Sequence, residues 1–391
     1  MIRTPQLCLA SPLGSTRQPI GGREGSRLGE PELSHHGETD QRFVLARRLS
    51  RRFAWLLVAL LLVPPLAAQD GLQFADLGDF RLENGQTLHD CRIAYRTFGR
   101  LNAEKSNAIL FPTWFSGTTE DLAQFMGPDQ YLDTTKYFVV TVGALGNGFS
   151  SSPSNSKRQP GASFPRFTVR DMVRSQHQLL TEKLGIGRLH AVMGLSMGGM
   201  QTFEWIVAYP EFMDRAIPII GSPQAAAYDL LLWQTQLNAI EQALEAHPDR
   251  KKARATAMKL VADIHQLALT TPARFNSEHK RDELQGFLAI QEAELIQRSD
   301  PYDWASQLRA MISHDVTLPF GHSMEQAAAA VKAKVLVIVA LTDHMVNPQP
   351  ALDFAKLLGA ETLTMDGNCG HLAFGCESNK VAPAVREFLG K

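Results

Sequence analysis

A serine among glycines, an aspartate and a histidine, met in that order along the chain, are the residues whose types and spacing could do chemistry. The serine is Ser196, in Gly194-Leu195-Ser196-Met197-Gly198, with Gly199 following. A serine hydroxyl is a poor nucleophile at neutral pH and needs a base. The glycine spacing answers a steric need. The serine sits on a strained strand-to-helix turn that tolerates no nearby side chains, and the turn lifts the hydroxyl to the end of a sheet. It also sets the Met197 amide at a helix N-terminus, facing a developing oxyanion.

The base is assigned to His371, in Asn368-Cys369-Gly370-His371. It would take the serine proton and later return it to the leaving group, while Asp343 orients the ring and stabilises its charged form. Asp366 is a rival acid, but it lies on the connection that carries His371, whereas Asp343 follows a continuous apolar strand. His344 is read as a loop residue, and His177, His190, His265 and His314 as surface or satisfied core groups. A second oxyanion donor should come from the loop at 112–117, through the backbone amide of Trp114 or Phe115. Gly143, Gly146 and Gly148 lack the spacing and the Lys-Ser/Thr pair of a phosphate loop.

These side chains need elements to hold them. Residues 107–111 and 137–142 read as buried strands, 168–184 as a helix with apolar residues at three-to-four spacing, capped by Thr168 and ended by Gly185. A strand at 189–194 leads into a helix at 196–209, then a strand at 215–220. The alternation stops from 221 to about 319, which is helix-like throughout. It resumes with strands at 335–341 and 361–365 and helices at 350–358 and 381–389. Alternating strands and helices imply an α/β fold with a mostly parallel sheet covered on both faces, and the break implies an inserted helical lid. Trp233, Tyr228, Phe275 and Phe287 either line a pocket under that lid or pack its helices; packing is the reading taken.

The chain has 391 residues, 44% hydrophobic and 20% charged, with a formal net charge of −1, so its overall charge points to no nucleic-acid partner. Residues 1–50 hold little apolar periodicity and read as a disordered or wrongly assigned leader. Arg47, Arg48, Arg51 and Arg52 precede the apolar run 53–63 and a small-residue site at Leu66-Ala67-Ala68. That order reads as a secretory signal at 51–68; the run is too short for a comfortable membrane span. The expected location is periplasmic or secreted, with membrane contact only through an uncleaved signal. A signal so far along the chain suggests a later translation start, near Val44. Of the four cysteines, Cys8 falls in the leader, and Cys369 and Cys376 bracket His371. In an exported protein these two could pair; unpaired thiols are equally allowed. No cysteine or histidine spacing resembles a zinc site, and no metal or cofactor is implied.

The sequence resembles the homoserine O-acetyltransferase branch of the α/β-hydrolases over 93–222 and 335–372. The resemblance is carried by Ala94-Tyr95-Arg96-Thr97-Phe98-Gly99, Lys105-Ser106-Asn107-Ala108-Ile109-Leu110, Thr168-Val169-Arg170-Asp171-Met172-Val173 and Ser196-Met197-Gly198-Gly199-Met200-Gln201. It implies an α/β-hydrolase domain over 69–391 with a lid near 221–319, and Ser196, Asp343 and His371 as its triad. Two positions depart from that branch. An aspartate that holds the substrate amine is replaced by Leu372, and no Arg or Lys lies between Ala216 and Asp249 to hold the substrate carboxylate. A zwitterionic amino acid needs both charges matched in a desolvated pocket. Acyl-coenzyme A is also a cytoplasmic metabolite, so an exported enzyme would lack that donor.

The expected function is therefore a serine hydrolase of an ester, thioester or amide, acting through an acyl-serine intermediate on a small-molecule acyl substrate. The alternative is transfer of an acetyl or succinyl group from acyl-CoA to homoserine or another small alcohol. A binding module with an idle triad is a third reading, opposed by the intact Ser, Asp and His. Oligomeric state is left open, with a homodimer allowed.

Overall fold

The computed structural model describes residues 71–391; the leader, the signal at 51–68, Val44 and Cys8 lie outside the described residues. Eight strands form one sheet in the order β1-β2-β4-β3-β5-β6-β7-β8. They are β1 (Gln73–Arg81), β2 (Thr87–Phe98), β3 (Ala108–Pro112), β4 (Phe138–Val142), β5 (Leu189–Leu195), β6 (Met213–Ile219), β7 (Lys334–Ala340) and β8 (Glu361–Met365). The β1–β2 and β2–β4 pairs are antiparallel, and the remaining pairs are parallel.

The central strands are apolar on both faces because helices cover both. Alternate residues of β3 divide between two cores. Ala108 and Leu110 join Met172 and Phe203 on one side of the sheet. Ile109 and Phe111 join Phe388 and Leu389 on the other. Helix α1 (Val169–Gln178) opens on the expected cap: Thr168 Oγ1 accepts the Asp171 N–H, and Asp171 accepts the Thr168 N–H in return. It passes into a π-helical turn (Leu179–Lys183) before Gly185, at φ +62°. The helix read over 168–184 is thus two helical forms in series.

The antiparallel pair β1–β2 was not expected. Its signals were present: Cys91, Ile93, Tyr95 and Thr97 alternate inward, and Asn84-Gly85 marks a tight turn. Strands that alternate buried and exposed residues carry weaker patterns than the continuous apolar runs of the central strands.

Between β6 and β7 the chain is helical: α3 (Ala227–Ala246), α4 (Arg250–Leu269), α5 (Pro272–Glu278), α6 (Leu284–Arg298), α7 (Pro301–Ile312) and α8 (Met324–Ala330). The two ends of the insertion clasp each other. Gln224 and Asp315 form an isolated bridge, Gln224 Nε2 donates to Asp315 Oδ2 at 2.8 Å, and Val316 N–H donates to the Pro223 carbonyl at 3.0 Å. Phe275, His279 and Phe287 pack on one another across α5 and α6, and Trp233 is buried. Tyr228 departs from the packing reading: it is largely exposed. After β7 come α9 (Gln349–Leu358), α10 (Ala373–Cys376) and α11 (Ser378–Gly390).

Candidate active site

Helix α2 (Met197–Ala208) begins directly after β5, so one residue must turn the chain. That residue is Ser196, at φ 55° and ψ −120°, a backbone conformation that L side chains rarely adopt. The glycines make it feasible. A Cβ on Gly194 would lie 2.1 Å from the Gly198 carbonyl oxygen, and one on Gly198 would lie 2.7 Å from the Pro112 carbonyl oxygen. The elbow is pinned from below by Ser196 N–H donating to the Ile219 carbonyl at 2.9 Å.

The structure brings the three expected residues together. His371 Nε2 lies 2.9 Å from Ser196 Oγ, and His371 Nδ1 lies 2.7 Å from Asp343 Oδ2. Asp343 and His371 are buried while Ser196 is half-buried, so the serine end of the chain is the open one. The second oxygen of Asp343 accepts the N–H groups of Met345 at 2.8 Å and Val346 at 3.0 Å. Those bonds fix the carboxylate in place while its other oxygen meets the imidazole. His371 sits on a 3₁₀ turn (Gly370–Leu372), and a disulfide between Cys369 and Cys376 closes the short loop around it. Of the two states the sequence left open, the structure has the bonded one.

The rival groups lie elsewhere. Asp366 is exposed and pairs with Lys380 at 3.3 Å, and His344 is exposed. His190 Nε2 contacts the Leu389 carbonyl, His314 Nε2 contacts the Ser222 carbonyl, and His177 stacks on Tyr209. His265 is the exception to the satisfied-core reading: its Nδ1 is buried without a partner. Cys91 is buried too, and burial pushes its thiol up to about 12, so it is no nucleophile at neutral pH.

Three backbone amides were candidates for the oxyanion site. Met197 opens α2, where the first N–H groups have no acceptor within the helix. The loop after β3 folds over the elbow, with Gln201 Nε2 donating to the Thr113 carbonyl at 3.0 Å. The Ser116 N–H is taken by Gln307 Oε1 of α7 at 2.8 Å. No such bond engages the Trp114 or Phe115 amide among the described residues, so both stay available.

The sequence reading missed two buried carboxylates of the insertion, of which Asp229 interacts with Asp343 and His371. Asp229 of α3 accepts the Ala226 N–H at 3.0 Å and the Asn347 N–H at 2.9 Å; burial raises its carboxyl to about 6. Asp303 of α7 accepts from the Ser154 N–H and Oγ–H and is raised by burial to about 7. Apart from the capping position of Asp229, neither had a distinguishing motif.

The family model for the alpha/beta hydrolase fold matches residues 107–376. The ethyl acetate hydrolase of Pseudomonas veronii is 32% identical over 78% of this chain and 91% of its own. The homoserine O-acetyltransferase of Geotalea daltonii is 30% identical over 80% of this chain and 95% of its own. Among solved structures, an acetylester hydrolase from Corynebacterium glutamicum superposes with a TM-score of 0.75 at 29% identity, over 82% of this chain and 95% of that one.

Proposed function

Because the chain belongs to the alpha/beta hydrolase fold family, we propose that it is a serine esterase that hydrolyses short-chain carboxylic esters, acetate esters foremost, through an acyl-Ser196 intermediate. The observation that carries this reading is the unbroken hydrogen-bonded chain Ser196–His371–Asp343, open at its serine end. Relatives that hydrolyse ethyl acetate or acetyl esters support the acyl class.

Ser196 Oγ attacks the ester carbonyl as His371 Nε2 takes its proton. The oxyanion is received by the Met197 amide and by the Trp114 or Phe115 amide; losing one such donor costs roughly a hundredfold to a thousandfold in rate. The tetrahedral species collapses, and His371 gives its proton to the departing alcohol. Water then repeats the sequence on the acyl-serine, with His371 as base, and frees the acid.

Water is favoured over homoserine as acceptor because charged partners for an amino acid are missing where the acyltransferases carry them. Leu372 follows the catalytic histidine, and α3 holds no Arg or Lys. Further along the insertion, Arg254 pairs with Asp300, Arg274 with Glu278 and Arg309 with Glu241. Export is part of the proposal: the signal-like segment 51–68 would be removed, leaving a periplasmic or secreted enzyme. The Cys369–Cys376 disulfide supports it, since such bonds persist in oxidising compartments.

The test offers purified mature protein a short-chain acetate ester with and without homoserine, Ser196→Ala as control, and identifies products by mass spectrometry. Free acetic acid regardless of homoserine is expected. Acetyl-homoserine as the main product would overturn the esterase reading in favour of the acyltransferase. N-terminal sequencing of the exported protein should begin near Gln69.

A further inference from the structure

His265 is a half-buried titratable group that the acyl-serine chemistry leaves unused. It lies on α4, whose C-terminal end is seated on the histidine loop: a side chain on Gly370 would meet Thr270 Cα at 3.0 Å, and Thr271 Oγ1 donates to the Asn368 carbonyl at 2.7 Å. On the opposite side the imidazole faces Phe115, with ring centroids 6.3 Å apart, and Trp304, at 5.4 Å. Phe115 belongs to the loop that folds over the serine elbow. His265 therefore stands between the two loops that flank Ser196 Oγ. Its surroundings are fixed, because Trp304 meets Phe115 edge-on at 4.5 Å and donates from Nε1 to Gln236 Oε1 at 3.1 Å.

The ring is neutral at neutral pH. Burial lowers its pKa to about 4, and the neighbouring charge of His371 acts in the same direction. A neutral imidazole has one N–H donor and one bare acceptor nitrogen. Its Nδ1 is buried without a partner. A buried N–H without an acceptor is rarer than an under-used acceptor, which assigns the proton to Nε2. The residue as a whole is only half-buried, leaving Nε2 as the nitrogen that a ligand can reach.

We infer that His265 Nε2–H donates a hydrogen bond to an uncharged acceptor oxygen in the leaving alcohol, so that the enzyme prefers esters of oxygenated alcohols to plain alkyl esters. The inference rests on the acyl-Ser196 reading. The alcohol lies on the His371 side because His371 must hand it a proton, and His265 is a polar group of the insertion that is close enough to feel the His371 charge and has a ring nitrogen without a partner. The oxygen is uncharged because α3 supplies no cation to match a carboxylate.

The experiment compares two acetates of equal length, 2-methoxyethyl acetate and n-butyl acetate, which differ by one oxygen in place of a methylene. Their kcat/KM ratio in the wild-type enzyme is divided by the ratio of their hydroxide-catalysed rates. A corrected preference of about tenfold for the methoxy ester is expected, the ratio given by a single good hydrogen bond. His265→Leu should bring that preference to about one while keeping n-butyl acetate turnover within about threefold, and His265→Gln, which restores a donor at similar reach, should recover part of it. A wild-type preference already near one overturns the inference. So does a preference kept by His265→Leu, or an equal loss on both esters. If circular dichroism shows His265→Leu unfolded, the aromatic His265→Phe takes its place under the same criteria. Turnover of n-butyl acetate that disappears in Ser196→Ala keeps the esterase reading standing in each of these cases; no turnover of either ester overturns both.

Discussion

The Asp229 carboxylate, on the first helix of the insertion, accepts the backbone N–H of Asn347 at 2.9 Å. Asn347 lies on the loop that begins with Asp343, and the Met345 and Val346 amides of that loop are bonded to Asp343 Oδ1. Asp229 also accepts the Ala226 N–H, which caps α3. One buried carboxylate thus ties the helical insertion to the loop carrying Asp343.

Asp229→Ala would leave two backbone donors without their acceptor, at a cost of about 1–3 kcal/mol for each that remains buried. The expected result is a Tm lowered by several degrees, with kcat falling because the Asp343 loop slackens. Asp229→Asn keeps one acceptor oxygen and should lose less of both. Thermal unfolding and steady-state kinetics on an acetate ester check this.

Asp343→Asn should lower kcat by about 10⁴-fold, since the amide cannot hold the histidine in the tautomer that accepts the serine proton. The Met345 and Val346 bonds can persist to its carbonyl oxygen, so circular dichroism and Tm should change little. A fall of less than tenfold would remove Asp343 from its assigned role.

Glu204 offers a pH test. It is 2% exposed, on α2, and Arg170 Nε donates to it. Burial nevertheless raises its carboxyl from 4.5 to about 7. An acid whose folded pKa is raised stabilises the fold below its unfolded pKa, and that contribution is lost as pH rises through the folded value. Glu204→Gln removes this titration and should gain stability relative to wild type between pH 5 and pH 8. The shift sets an upper limit of about 3 kcal/mol. Urea unfolding of both proteins across that range reads the difference directly; a gap that narrows as pH rises contradicts it.

Cys369 and Cys376 close a short loop around His371. Replacing both by serine, or reducing the bond, should cost about 2 kcal/mol of stability by freeing the unfolded loop. Because that loop carries the base, kcat should fall as well, with KM nearly unchanged. Parallel assays with and without dithiothreitol distinguish this from a disulfide remote from catalysis.

Much of the site was legible because it depends on local chemistry. Gly194, Ser196 and Gly198 announce a turn that only small residues permit. The apolar run before Asp343 marks a central strand, and covered parallel strands read as continuous hydrophobic stretches. The antiparallel strands β1 and β2 were harder to read, since half-exposed alternation is easily diluted by polar residues. Asp229 and His265 were invisible as site residues for a different reason. Their neighbours come from distant segments, and a carboxylate or imidazole in a helix has the same sequence signature whether it faces water or a buried amide.

The sequence by itself therefore determined the tight turn at Ser196 and the alternation that builds a parallel sheet, because each follows from backbone sterics and hydrophobic period. Only the tertiary structure decided that Asp229 ties the insertion to the Asp343 loop, that Cys369 and Cys376 are joined, and that His265 stands beside the His371 loop with a nitrogen unpaired. Those outcomes depend on which loops the sheet and the inserted helices bring within hydrogen-bonding distance, which separation along the chain does not encode.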